Sequence, residues 1–276
     1  MSRLRATLIG AVAVLLWSLL ALLTVRSGTV PPFQLTAICL AIAATVGLVW
    51  GAAHGRALPR APVRAWALGA AGIFGYHFFY FTALRNAPAA EASLVAYLWP
   101  LLIVLFSGLL PGERLTPAHA LGALVAFAGA ALVLSPAVGS GPAPGHAALG
   151  FASAVAGALT WSGYSVLNRR FPDTPTESVT GFCAVGAVLS ALAHLATETT
   201  AWPADAGEWL AVLGLGLGPV GLAFFVWDLG TKRGDIQLLG TMAYAAPVLS
   251  TLALGLAGEA TLTPALILAA ALVAGG

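Results

Sequence analysis

Residues 76–100, YHFFYFTALRNAPAAEASLVAYLWP, decide how the rest of the chain is read. They form the end of one apolar helix, a polar turn at Arg85, Asn86 and Pro88, and the first part of a second helix. Tyr76 and Tyr80 are four residues apart, so both rings share one helical face, with His77 one step round. The second helix runs through Tyr97 and Trp99 into Pro100, deep inside an apolar span. A proline there removes one backbone hydrogen bond and crowds the carbonyl four residues back, which predicts a kink near Tyr97 and Leu98. In lipid the freed carbonyl needs another partner, which favours a position facing protein or a water-filled cavity. Two readings fit, a lined pocket and a tightly packed aromatic core with a kink, and the pocket is the reading taken forward.

Composition sets the class. The chain is 59% hydrophobic and 8% charged, with mean hydropathy +0.93, against about 25% charged residues in a soluble domain. This is the make-up of an all-α integral membrane protein. A net charge of +2 is too small to imply a nucleic-acid partner. Cys39 and Cys183 both sit in apolar stretches and read as small hydrophobes rather than as a disulfide. The first apolar run lacks an Ala-x-Ala-like cleavage site and resembles the later ones, so it reads as a retained helix.

Working outward from the opening stretch gives ten expected spans, each near the roughly 20 residues that cross a bilayer. They cover residues 6–25, 33–52, 64–84, 89–110, 117–135, 147–168, 177–196, 208–230, 235–257 and 261–276, joined by short turns rich in Pro and Gly. The last is short and ends at Gly275 and Gly276 without a basic flank, the pattern of a span cut short. With the N-terminus inside, one face holds Arg3, Arg5, Arg56, Arg60, Arg64, Arg114, Arg169, Arg170, Lys232 and Arg233, and the other only Arg26 and Arg85. That is strong positive-inside bias, and it predicts a cytoplasmic N-terminus. The opposite face carries Glu198, Asp205, Glu208 and Glu259.

Laying one half over the other reveals a repeat. AVLLWS, ending at Ser18, matches GALTWS, ending at Ser162, which sets Trp17 over Trp161 and Arg26 over Arg170. Tyr97-Leu98-Trp99-Pro100 lies over Tyr244-Ala245-Ala246-Pro247, and Gly112-Glu113 with Thr116-Pro117 lies over Gly258-Glu259 with Thr263-Pro264. Five spans per copy, an odd number, make the second copy enter from the opposite side. Residues 1–135 and 147–276 are therefore expected to be inverted five-helix repeats joined by a linker at 136–146. Inverted repeats are the build of alternating-access transporters, with a substrate site near the midplane.

These landmarks carry a family resemblance. The Trp17 segment, Ala83-Leu84-Arg85-Asn86-Ala87-Pro88-Ala89-Ala90-Glu91-Ala92-Ser93, the intrahelical Pro100 and Gly112-Glu113-Arg114-Leu115-Thr116 resemble the drug/metabolite transporter superfamily, in its ten-helix kind with two EamA-type repeats. Within it the chain is most similar to bacterial inner-membrane aromatic amino acid exporters. The resemblance implies inner-membrane location, outward transport and a small-molecule cargo, an amino acid or related metabolite. One departure stands in the second half, where Glu259 is followed by Ala260 and Thr261 rather than by a basic residue.

No stretch carries the marks of an enzyme or of a cofactor or metal site. The histidines at 54, 77, 119, 146 and 194 are scattered without metal-ligand spacing, and no serine sits in a nucleophile elbow. An intramembrane enzyme would need polar groups meeting at one depth, and Glu91, His77 and Asp228 offer no evident pairing. Glu91 also fits simple capping of a helix N-terminus. Asp228 fits an ion pair with Lys232 four residues on, and Trp227 fits an interfacial belt. No acidic residue lies in the first helix, which argues against a proton shuttle there. Tyr76, Tyr80, Tyr97, Trp99 and Trp161 are the first candidates for contact with cargo, followed by Trp17, His77, Tyr164 and Tyr244.

Overall fold

The computed structural model describes residues 1–56, 61–134, 146–259 and 264–275. Most of the expected linker, together with Arg60, Ala260 and Thr261, lies outside the described residues. Among the described residues the regular structure is helical, without strands. Its α-helices are α1 (Arg3–Trp17), α2 (Leu20–Arg26), α3 (Pro32–Ala53), α4 (Val63–Asn86), α5 (Ala89–Ala96), α6 (Trp99–Ser107), α7 (Pro117–Leu134), α8 (Ala147–Leu167), α9 (Val179–Thr197), α10 (Ala206–Leu217), α11 (Ala223–Arg233), α12 (Ile236–Met242), α13 (Ala245–Leu256) and α14 (Pro264–Gly275).

Several neighbouring helices are two pieces of one rod. Six stretches are long and apolar enough to cross a membrane: Arg3–Arg26, Pro32–Ala53, Val63–Asn86, Thr176–Thr197, Ala206–Arg233 and Ile236–Leu256. Glu91–Ser107 and Pro117–Leu132 are shorter apolar helices. This is a multi-pass membrane protein.

The breaks have local causes. Between α5 and α6 the Leu98 N–H donates to Val95 O, a tightened step, two residues before Pro100. Leu101 N–H, next after the proline, donates to the Tyr244 hydroxyl at 3.0 Å. The break between α12 and α13 is built the same way around Pro247. Ala243 O, which Pro247 cannot serve, accepts instead from Ala246 N–H at 3.1 Å. The rod holding α10 and α11 loosens into a π-turn at Gly218–Leu222, around Pro219. No proline marks the break between α1 and α2. There Ser18 Oγ donates back to Leu15 O at 2.6 Å while Leu19 N–H bonds Leu16 O, three residues back.

Helices from before and after residue 135 pack as partners: α1 on α11, α3 on α9, α4 on α8, and α7 on α14. Small residues permit the closest of these approaches. A Cβ on Gly10 would stand 2.8 Å from the Gly230 Cα, so α1 and α11 touch backbone to backbone. The main core fills the space between these pairs, around Leu40, Ile73, Phe182, Leu215 and Trp227.

Candidate functional site

Where the broken rods meet, their ends expose side chains to one shared cavity. The cavity, about 90 Å³, is lined by Trp17, Leu20, Tyr76, His77, Tyr97, Trp99, Trp161, Pro219, Val220, Phe224 and Ala246. Trp17 ends α1, Tyr97 and Trp99 flank the α5–α6 break, Pro219 and Val220 ride the π-turn, and Ala246 begins α13. Each break turns a rod out of register and aims its flanking residues inward. Trp99 and Ala246, each just ahead of its proline, occupy matching places in the two halves and line the same chamber. At one place stands an indole and at the other only a methyl, which leaves room.

Three tryptophans line the cavity, Trp17, Trp99 and Trp161, and a fourth, Trp227, packs behind them. Trp17 lies 5.9 Å from Trp99, 5.9 Å from Trp161 and 5.0 Å from Trp227, ring centroid to centroid. Trp99 is 6.4 Å from Trp161 and 5.8 Å from Trp227, mostly edge to face. Such pairs contribute about 0.5–1.5 kcal/mol each beyond area burial. The Tyr76 ring joins at 5.6 Å from Trp161, and Phe224 at 5.6 Å from Trp161 and 6.0 Å from His77.

The polar groups divide into those already used and those left without a partner. Trp17 Nε1 donates to Pro219 O at 3.0 Å, and Trp227 Nε1 donates to Ser165 Oγ at 3.0 Å. Among the described residues the Trp99 and Trp161 indole N–H groups and the Tyr76 and Tyr97 hydroxyls have no hydrogen-bond partner. His77 Nδ1 lies 2.7 Å from Ile73 O. A carbonyl can only accept, so Nδ1 carries the proton and the neutral ring keeps its lone pair on Nε2. The chamber therefore offers indole donors and one imidazole acceptor, set in aromatic walls with no lining carboxylate. That suits a small zwitterion with an apolar side chain.

Six of the nine candidate residues line the chamber: Trp17, Tyr76, His77, Tyr97, Trp99 and Trp161. Three stand behind it. Tyr80 stacks on Tyr76 at 5.8 Å and 9°, and its hydroxyl meets Ser93 Oγ at 3.2 Å. Tyr164 is buried beside Trp161, over Gly72. Tyr244 is fully buried against Phe127 and serves the α5–α6 break through Leu101 N–H. Trp227 also departs from expectation. It is fully buried at the heart of the cluster rather than in an interfacial belt. Its α-helical spacing from Phe224, three residues before it, was the signal available. Asp228 does pair with Lys232 (3.0 Å), and also accepts from Asn168 Nδ2 and Thr176 Oγ1.

Charged groups outside the spans tie the helix ends. Glu198 accepts from Phe33 and Gln34 N–H at the start of α3, from the Arg85 guanidinium and from His194 Nδ1. Burial would raise its carboxyl, but the Phe33 N–H, His194, the Gln34 N–H and Arg85 together hold it below the usual range. At the turn after α6 Glu113 meets both Arg3 at 3.1 Å and Arg169 at 3.0 Å.

Apolar rods broken around an aromatic chamber, with donors and an acceptor left unpaired, define a membrane transporter rather than a scaffold. The chain belongs to the EamA-like transporter family, which matches residues 4–135 and 148–276. It is 56% identical to the aromatic amino acid exporter YddG of Ancylobacter novellus, over 100% of this chain and 96% of that protein. It is 28% identical to the aromatic amino acid exporter YddG of Salmonella typhimurium, over 90% of this chain and 86% of the relative. A solved crystal structure superposes with a TM-score of 0.93 at 55% identity, covering 99% of this chain and 96% of the other. Among the described residues no group of three or more His, Cys, Asp or Glu is placed to hold a metal ion.

Proposed function

We propose that this protein exports aromatic and other large apolar amino acids across the bacterial inner membrane, by alternating access around the tryptophan chamber. The observation that carries the reading is the pair of unpartnered indole N–H groups on Trp99 and Trp161, facing a volume that also presents His77. The indoles, with the Tyr76 and Tyr97 hydroxyls, take the carboxylate of the cargo. His77 Nε2 accepts from its ammonium group, and the aromatic walls bury its ring. Two relatives that match across most of their length are named as aromatic amino acid exporters, which supports the cargo class and direction.

The architecture in this reading is ten spans in two inverted halves, 1–135 and 147–276, with the N-terminus cytoplasmic. The partnering of α1 with α11 and of α4 with α8 supports it, as do the matched breaks before Pro100 and Pro247. The cation bias of the sequence supports the orientation. The chain acts as a carrier without a catalytic step. The lining holds no carboxylate, and Asp228, next to Trp227, is paired with Lys232, so transport runs down the cargo gradient without a strict need for a proton gradient.

Counterflow in proteoliposomes tests the function. Radiolabelled phenylalanine and tryptophan should exchange, whereas nucleosides and cationic dyes should exchange at least tenfold more slowly. A nucleoside or dye moving faster than any amino acid would assign the chamber to another class of metabolite or drug. Collapse of the pH gradient should leave the exchange running.

A further inference from the structure

Two ion pairs occupy equivalent places in the sequence repeat, which the ten-span reading sets on opposite faces of the membrane. Glu113 follows Gly112 in the turn after α6, and Glu259 follows Gly258 in the turn after α13. Both glycines are left-handed, with φ 83° and 78°, so both carboxylates are carried on the same kind of turn. Each reaches a cation at the far end of the opposite half's first helix. Glu113 binds Arg169, just after α8, at 3.0 Å, and Glu259 binds Arg26, closing α2, at 3.5 Å. The sequence repeat sets Arg26 over Arg170 rather than Arg169. The tight helical turn at Asn168–Arg170 moves the paired residue by one.

The two pairs differ in closure. The Arg169 and Glu113 side chains are 19% and 9% exposed, while those of Arg26 and Glu259 are 51% and 37% exposed. The first pair is further bound by Arg3, which also reaches Asp235 at 3.3 Å, and by Arg169 Nη1 on Gly234 O. Gln237 adds bonds to Ser107 Oγ and to Arg114 O on that face. Around the second pair α13 packs less extensively on the rod of α1 and α2 than α6 packs on α8. The Glu198 cluster on the second face ties α3, α4 and α9, and leaves α2 and α13 apart from it.

We propose that Glu113–Arg169 and Glu259–Arg26 are the two reciprocal gates of the transport cycle, the first closed and the second loosened in this structure. A pair largely shielded from water and held by further partners is harder to part than one a third to a half exposed, so the structure is sealed at Glu113 and ready to open at Glu259. In the opposite state the roles exchange: Glu259–Arg26 becomes buried as Glu113–Arg169 parts. This rests on the alternating-access reading above.

Spin-label distances across each gate test it, in full-length protein with Cys39 and Cys183 replaced by alanine and reconstituted in nanodiscs. Arg114→Cys with Arg170→Cys spans the first gate, and Thr29→Cys with Leu256→Cys spans the second. In Glu113→Gln the long-distance fraction at the first gate should rise at least tenfold, while the second gate shortens. Glu259→Gln, at the exposed pair, should fold normally, keep the first gate short at rest, and lose the shortening of the second gate that phenylalanine induces in the parent. Unchanged distances in Glu113→Gln, or a longer first gate without a shorter second, would overturn the proposal, as would parent-like switching in Glu259→Gln. If the parent itself switches with phenylalanine in any of these outcomes, the transport reading stands without the gates. If the parent neither switches nor exchanges cargo, that reading fails and the gates fall with it.

Discussion

His77 is the residue on which polarity in the chamber turns. Its Nδ1 proton is committed to Ile73 O, so what it presents to the chamber is an acceptor. His77→Leu removes that acceptor and should lower counterflow about 10- to 100-fold, the worth of a hydrogen bond to a charged group at roughly 1.5–3 kcal/mol. His77→Gln can offer an amide oxygen and should retain most of the exchange. Equal loss in both variants, with folding intact, would remove His77 from the site. The candidates nearest the opening stretch were legible because tyrosine spacing and an intrahelical proline report directly on face and kink. Trp227 and Phe224 were less legible, because a tryptophan beside an Asp–Lys pair reads equally well as a membrane-interface residue. Only the packing of α11 against α1 decides that it faces inward.

At the scale of the element, broken helices do most of the positioning, and they were legible to different degrees. Pro100 announces its break, and the repeat carries that expectation to Pro247. The α1–α2 break at Ser18 has no proline, and the π-turn at Gly218–Leu222 reads in sequence as a glycine-rich packing stretch. Neither shows without the neighbours that accept the freed groups. Tyr244 is such a neighbour for the α5–α6 break. Tyr244→Phe leaves Leu101 N–H buried without its partner and should cost about 1–3 kcal/mol of stability, with cargo selectivity unchanged. A selective change in cargo preference without a fall in thermal stability would return Tyr244 to the binding site. The start of α3 gives a pH prediction. Glu198 titrates below its unfolded-state value, so it contributes stability above that value and loses the contribution as pH falls through the lowered one. Thermal stability should therefore fall more steeply on acidification below about pH 5 in the parent than in Glu198→Gln, and parallel curves would contradict the assignment.

For the whole molecule, the all-helical membrane class was plain from composition, whereas the chamber depends on pairings between residues far apart in the chain. Orientation is open to a direct labelling test. A cysteine at Asp173 should react with an impermeant maleimide only after permeabilisation, and one at Ala204 should react from outside. Reaction of both from the same side would contradict ten spans with a cytoplasmic N-terminus. The central claim is that cargo passes through the volume between Trp99 and Ala246, and filling that volume tests it most directly. Ala246→Trp adds a second indole to the lining, at the position matching Trp99 in the other half. Phenylalanine counterflow, measured with thermal stability in detergent, should drop at least tenfold in this variant while the melting temperature stays within a few degrees of the parent. Phenylalanine should also cease to raise that melting temperature. Ala246→Trp protein that is folded and still exchanges phenylalanine at the parent rate would show that cargo takes another route.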